Sequence, residues 1–309
     1  MLDPILLFFI LGFVASLFKS DLKIPPEIYD LLSILLLLAI GMKGGIEIAK
    51  QSSSDLLPQV SITLLIGFLI PVLLYPILKF LGKFKREDAA SIAAHYGSVS
   101  VGTFAVAIAY MESNNISYDS HMAIFVVVLE IPAIIVGILL AKGIQKDMPW
   151  AKIGHEVFLG KGILLLVGGL LIGWAAGPEG LKKIAPLFID LFPGILALFL
   201  LEMGLITAKQ LGGLKQHGLF LVLFGILTPI LLGFVGVSIG LAMGLSIGGA
   251  TIFGVLAASA SYIAVPAAMR ISVPSADPTL SLSASLGITF PFNVIVGIPL
   301  YYNFANVLS

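Results

Sequence analysis

Two short strings carry the residue types best suited to chemistry. The first is His95-Tyr96-Gly97-Ser98-Val99-Ser100-Val101-Gly102-Thr103-Phe104, and the second is Ala257-Ala258-Ser259-Ala260-Ser261-Tyr262-Ile263-Ala264-Val265-Pro266. Each lies at the centre of an apolar stretch, and each is small and hydroxyl-rich where a membrane helix usually carries large aliphatic side chains. Small residues let a helix unwind, and an unwound stretch frees N–H and C=O groups that lipid cannot satisfy, so it is tolerated only beside protein or water. Two such breaks meeting near the midplane would aim half-helix N-termini, with their positive partial charge, at a small anion, while hydroxyls and freed carbonyls hold a cation. Close packing of small residues is the competing explanation, but packing does not demand Ser-x-Ser at equivalent places in two halves of a chain. By the same packing rule, Gly240-x-x-x-Gly244-x-x-x-Gly248 is read as a stripe where helices approach.

Glu130 stands in Val128-Leu129-Glu130-Ile131-Pro132, in the middle of an apolar run. An ionisable residue at that depth costs on the order of 3 kcal/mol to insert, so it is expected to be functional or paired. As a protonated or hydrogen-bonded carboxyl it would tie its span to the serines of the preceding one. Thr289 and Asn293, around Pro291, are neutral oxygen donors suited to Na+ or a polar substrate. Glu202, Glu47, Asp30 and Asp190 lie nearer helix ends and read as interfacial or capping residues. Ser281, Ser283 and Ser285 fit either an access path or a polar helix entrance.

Other chemistries fit less well. His95 beside Ser98 and Glu130 suggests an intramembrane serine hydrolase, but a nucleophile elbow needs G-x-S-x-G, and the chain reads Gly97-Ser98-Val99-Ser100-Val101-Gly102. His95, His121, His155 and His217 include no H-E-x-x-H and no pair at metal spacing, which disfavours a metallopeptidase. No phosphate-binding loop is present, so nucleotide cannot drive work within this chain, and no organic cofactor is expected.

The elements that must position these residues follow from composition. The chain of 309 residues is 59% hydrophobic and 11% charged, with a mean hydropathy of +1.10, whereas soluble domains carry roughly 25% charged residues. A polytopic protein in a lipid bilayer is the class that fits. Seventeen basic and seventeen acidic side chains cancel, leaving no field for nucleic acid. Cysteine is absent, which excludes disulfides and thiolate sites. Met1-Leu2-Asp3-Pro4 has no basic stretch before its apolar run and is read as the start of the first span, not as a removable signal peptide. Stretches of about 20 apolar residues give ten spans: 3–18, 27–49, 56–80, 88–111, 120–142, 160–176, 184–206, 218–239, 248–269 and 279–305. The fold class is therefore an all-α membrane protein with ten transmembrane helices.

Loops after the odd spans hold 13 of the Lys and Arg residues, and the remaining loops hold 4, namely Lys43, Lys50, Lys182 and Lys183. The larger set includes Lys146, Lys152, Lys215 and Arg270. Basic loops face the cytoplasm, so both termini are expected on the non-cytoplasmic side of an inner (plasma) membrane. Shifting the chain by about 160 residues superposes its punctuation. Pro26 and Asp30 fall on Pro186 and Asp190, Gly67 and Pro71 on Gly225 and Pro229, Ser98 and Ser100 on Ser259 and Ser261, and Pro132 on Pro291. One match would be accident, but matches in four of five spans, in order, indicate duplication. Residues 1–145 and 155–309 are thus two five-helix repeats, and an odd span number makes the second inverted, as in secondary transporters that bind substrate where the repeats meet.

Three strings carry a family resemblance: Ala94 to Phe104 as quoted, Glu130-Ile131-Pro132-Ala133-Ile134-Ile135-Val136-Gly137, and Gly287-Ile288-Thr289-Phe290-Pro291-Phe292-Asn293. Over nearly its whole length the chain resembles the sodium-dependent bicarbonate transporter family of the SbtA type. The resemblance implies a gate domain (1–50 and 160–210), a core domain (56–145 and 218–309) with two discontinuous crossing helices, a homotrimer, and symport of Na+ with bicarbonate or a similar small anion. It implies ion sites at Ser98 and Ser100 with the Gly97 to Val99 backbone, and Ser259 and Ser261 opposite. Joined with the reading of the residues, the anion site is expected at Gly97, Ser98, Val99, Ser100, Ser259, Ala260 and Ser261, and Na+ at Ser98, Thr103, Glu130, Ser261, Thr289 and Asn293. Another small monocarboxylate, or a cation exchanged for protons through Glu130, is the alternative cargo. The connection between Lys142 and Lys161 is shorter than in well-known members, which argues against regulation by a PII-like protein.

Overall fold

Large apolar side chains face outward along much of the chain, Leu11, Leu65, Leu73, Leu171, Trp174 and Leu231 among them. Water would penalise such a surface at roughly 25 cal/mol per Å², and lipid does not. The structure is a computed structural model describing residues 4–48, 56–143, 151, 154–155, 159–214 and 218–309. Lys50, Lys146, Lys152, Lys215 and His217, with most of the connection between Lys142 and Lys161, lie outside the described residues.

Among the described residues there is no strand, and the helices follow in the order α1 (Pro4–Leu17), α2 (Pro26–Ile48), α3 (Leu56–Leu81), α4 (Arg86–Gly97), α5 (Val101–Ser113), α6 (Met122–Lys142), α7 (Lys161–Leu181), α8 (Phe192–Leu214), α9 (Gly218–Ala242), α10 (Ile247–Ala258), α11 (Ala264–Ser272) and α12 (Pro278–Leu308). Eight helical spans among them are long and apolar enough to cross a membrane, with α4 and α5 together forming one. The expected ten differ from this for two physical reasons. α1 has 14 residues, about 21 Å at 1.5 Å per residue, short of a hydrocarbon core about 30 Å thick. The ninth expected span is cut into α10 and α11, of 12 and 9 residues, and neither piece crosses alone. The protein is an all-helical, multi-pass membrane protein.

Small residues set the packing. α2 lies on α7, where a Cβ on Gly41 would come within 2.9 Å of the Gly169 backbone, and Gly45 and Gly173 make similar approaches to Leu170 and Met42. α1 lies on α8 in the same manner through Gly12 and Gly204. The glycine series read as one stripe divides: Gly240 packs on Ala250 and Gly248 on Ser117, whereas Gly244 has φ +78° and nothing near it. Its place is the left-handed turn that ends α9, where a side chain would be strained.

Proline chemistry fixes α12. Pro229 has no N–H, so the carbonyl four residues earlier, on Gly225, loses its helical donor. The Thr289 hydroxyl supplies one at 2.8 Å, and the Tyr96 hydroxyl donates to Thr289 Oγ1 at 2.6 Å. α12 widens into π-helical turns over Ser283–Thr289 and Asn293–Gly297, flanking Pro291, and such turns relax a ladder that proline interrupts. Asp119 Oδ2 accepts the Ser246 N–H at 2.9 Å and its hydroxyl at 2.6 Å, pinning the connection before α6 to the start of α10. Asp88 Oδ1 accepts the Asp277 N–H at 2.8 Å, pinning the connection before α12 to the start of α4.

Candidate functional site

Both serine strings interrupt their helices. α4 ends at Gly97, Ser98 and Ser100 adopt extended backbone (φ −94° and −105°), and α5 begins at Val101. α10 ends at Ala258, Ser259 is extended (φ −84°), and α11 begins at Ala264. Ser98, Val99 and Ser100 are each 2% exposed or less, so the freed backbone groups of the break meet protein and not lipid, as the hydrocarbon requires. Gly97 allows that fit, because a Cβ there would fall 2.8 Å from Pro71 Cγ and 3.1 Å from Ala133 Cβ.

The two breaks bond to each other crosswise. The Ser100 N–H donates to Ser259 Oγ at 3.0 Å, and the Ser261 N–H donates to the His95 carbonyl at 2.8 Å. Each break also caps its own outgoing helix. Ser100 Oγ accepts from the Thr103 N–H at 3.0 Å and hydroxyl at 2.8 Å, and Ser261 Oγ accepts from the Val265 N–H at 3.4 Å. The N-termini of α5 and α11, where unpaired N–H groups concentrate positive partial charge, therefore open at one place.

Ser98 and Ser259, equivalent under the sequence shift, differ in how they are used. Ser259 Oγ accepts from Ser100 and donates to the Leu256 carbonyl at 3.0 Å. Ser98 Oγ is buried and has no hydrogen-bond partner. An unsatisfied buried hydroxyl costs about 1–3 kcal/mol, a cost relieved when a ligand enters. A hydroxyl can donate to an oxyanion or offer its oxygen to Na+, so the group present fits either ion. Among the described residues no three His, Asp or Glu side chains come together, and the donors at the breaks are hydroxyls and backbone, a hard-oxygen set suited to an alkali cation.

The other expected ligands sit in defined places. Asn293 donates to the Ala258 carbonyl at 2.9 Å and accepts from the Tyr301 hydroxyl at 2.7 Å, holding the end of α10 against α12. Thr289 braces α4 and α9 as described above. Val99, Ala260 and Thr103 are buried at or beside the breaks, and Glu130 is buried within α6. With no partner on Ser98 Oγ, the tie expected between Glu130 and that serine is not made. The hydrolase geometry is not made either, since His95 Nε2 and Ser98 Oγ each lack a hydrogen-bond partner and so do not bond each other, while His95 Nδ1 bonds the Ser91 carbonyl at 2.7 Å. Ser281, Ser283 and Ser285 are all buried. Ser281 bonds Ser91 at 3.0 Å, and Ser283 reaches the Gln210 carbonyl at 3.4 Å. Asp30, as expected of an interfacial residue, is exposed and pairs with Lys161 at 2.8 Å.

Sequence patterns did not single out the aromatic cover. Tyr29 stacks on Phe199 with ring centroids 5.6 Å apart, and Phe199 and the Tyr262 hydroxyl close over Gly102 in the first turn of α5. Ser33, Leu36, Phe199, Val101 and Ile263 leave a crevice of about 20 Å³ there, enough for little more than one water. One turn further along α2 and α5, a cavity of about 500 Å³ opens, lined by Ile40, Lys43, Glu47, Ile108 and Asp119. Lys43 pairs with Glu112 at 2.9 Å beside it. Burial, with the Glu112 carboxylate nearby, raises the Tyr118 phenol above its ordinary value, so it stays protonated and donates to Glu112 at 3.2 Å.

The family described as the Na+-dependent bicarbonate transporter superfamily matches residues 4–306. No curated protein matches the chain.

Proposed function

This chain belongs to the Na+-dependent bicarbonate transporter superfamily, and from that premise we propose that it is a secondary active symporter carrying Na+ and bicarbonate together into the cell. It is a transporter and not an enzyme. The observation that carries the proposal is the meeting of two interrupted helices beside a buried Ser98 hydroxyl that no protein group satisfies. Bicarbonate sits at the N-termini of α5 and α11, against Ser98, Ser100, Ser259, Ser261 and the backbone of Gly97, Val99 and Ala260. Na+ takes oxygens from the same region, drawn from Ser98, Thr103, Glu130, Ser261, Thr289 and Asn293. Each ion offsets the charge of the other, so neither binds well alone.

The repeats are inverted on this reading, and the reciprocal pins support it. Asp119 with Ser246 and Asp277 with Asp88 are equivalent residue pairs under a shift of about 158, although the carboxylate acceptor is Asp119, before α6, in one pair and Asp88, in α4, in the other. With α1 and α10–α11 as spans one and nine, the helices make ten spans. The gate domain is α1, α2, α7 and α8, joined by the glycine contacts described above, and the remaining helices form the core domain. The core moves against the gate, exposing the breaks first to the cavity beside Lys43 and then to the opposite face. Both termini lie outside the cytoplasm, and the assembly is a homotrimer in the inner membrane. The brief central connection argues against a PII-like regulator. Isotopic bicarbonate uptake into liposomes tests the function: it is expected to collapse when Na+ is replaced by K+, and undiminished uptake in K+ would rule out the coupling.

A further inference from the structure

Away from the crevice at the start of α5, a cavity of about 120 Å³ lies between α4, α11 and the connection to α12. Ser91, His95, Met269, Arg270 and Val273 line it, with three prolines. His95 Nδ1 faces the Ser91 carbonyl at 2.7 Å. A carbonyl has no proton to give, so Nδ1 carries the ring hydrogen and Nε2 presents a bare lone pair. That nitrogen is buried with no hydrogen-bond partner, in a residue only 2% exposed. Arg270, itself exposed, puts a permanent positive charge on the wall of the same cavity. The other walls are largely apolar, which strengthens any polar contact made inside.

One wall thus asks for a hydrogen-bond donor and another for an anion. A small oxyanion that keeps an O–H satisfies both, with its charged oxygens on the guanidinium and its hydroxyl donating to Nε2. We propose that this cavity is a second anion subsite, selective for a hydrogen-bearing oxyanion and, given the proposed function on which its ligand's identity rests, for bicarbonate. Nitrate, planar and of similar size but without a hydrogen, leaves Nε2 unsatisfied and is rejected. The location suits a waypoint: the His95 carbonyl receives the Ser261 N–H, so the cavity adjoins the broken helices and runs to Arg270 in the last turn of α11. The volume is well above the 10–15 Å³ or so that a single water needs.

The test uses the full chain labelled with nitrogen-15 histidine, in lipid nanodiscs at one fixed alkaline pH, titrated with sodium bicarbonate or sodium nitrate. The His95 Nε2 resonance is assigned by its loss in H95Q or, should that variant not fold, by elimination through H121Q, H155Q and H217Q. Bicarbonate is expected to move that resonance upfield, and nitrate to leave it in place. In R270Q the bicarbonate titration midpoint is expected to rise at least about tenfold, as loss of a charge-assisted contact requires. In S98A the shift is expected to persist. An equal response to nitrate, no response to bicarbonate, an unchanged midpoint in R270Q, or a shift abolished by S98A would each overturn the subsite. Uptake without any His95 response sinks the subsite alone, whereas a normal His95 response without uptake sinks the transport reading alone.

Discussion

Replacing Ser98 and Ser259 by alanine, one at a time, separates a ligand-binding hydroxyl from a structural one. Ser259 Oγ holds the Ser100 N–H at 3.0 Å, and Ser100 is 2% exposed, so Ser259→Ala leaves a buried donor with no water to replace its partner. That costs about 1–3 kcal/mol. Ser98→Ala breaks no bond, because Ser98 Oγ has none, and it removes an unsatisfied buried hydroxyl worth a similar amount in the opposite direction. Without ligand, then, Ser259→Ala should melt below the wild type in detergent, and Ser98→Ala at or above it. With ligand the order changes. A hydroxyl contact to an ion contributes about 1.5–3 kcal/mol, so Ser98→Ala should weaken Na+ binding about 10- to 150-fold, read by thermal-shift titration with Na+ in the presence of bicarbonate. The reasoning is refuted if Ser98→Ala melts lower than the wild type without ligand and keeps its Na+ affinity.

Other perturbations have equally definite outcomes. Gly97→Ala drives a Cβ into Pro71 and Ala133, and overpacking of this kind costs about 1–3 kcal/mol, so its melting temperature should fall and its uptake be lost; a wild-type melt would show that the break is loosely packed. Glu130→Gln keeps the shape of a buried side chain while removing its charge, so Na+-driven bicarbonate uptake should fall by less than about tenfold, or 1.4 kcal/mol. Complete loss, together with loss of proton movement, would favour exchange through Glu130.

The features most legible in the sequence were those with a local cause. Ser98-Val99-Ser100 and Ser259-Ala260-Ser261 lack the side chains that hold a helix together in lipid, and both helices are broken there. Glu130 stood out by its depth in an apolar run, and its side chain is buried within α6. Features that join distant segments were not legible. Pro229 announces a freed carbonyl on Gly225, but nothing along the chain says that Thr289, 64 residues on, will satisfy it. Likewise nothing along the chain says that the Asn293 amide will bridge the Ala258 carbonyl and the Tyr301 hydroxyl. Stacking of Tyr29 on Phe199 depends on the approach of two helices, which no periodicity specifies. The unequal use of Ser98 and Ser259 was hidden for the same reason, since each opens the same Ser-x-Ser pattern and their partners are set by the fold.

A shared site for two ions of opposite charge has a thermodynamic signature, because each must raise the affinity of the other by the same factor. Radiosodium binding to the purified protein, measured across a bicarbonate series at constant ionic strength and pH, reads that factor directly. Na+ affinity should rise with bicarbonate in the wild type, and the rise should vanish in Ser98→Ala. Na+ affinity independent of bicarbonate, or a rise that survives in Ser98→Ala, would contradict a joint site at the two broken helices.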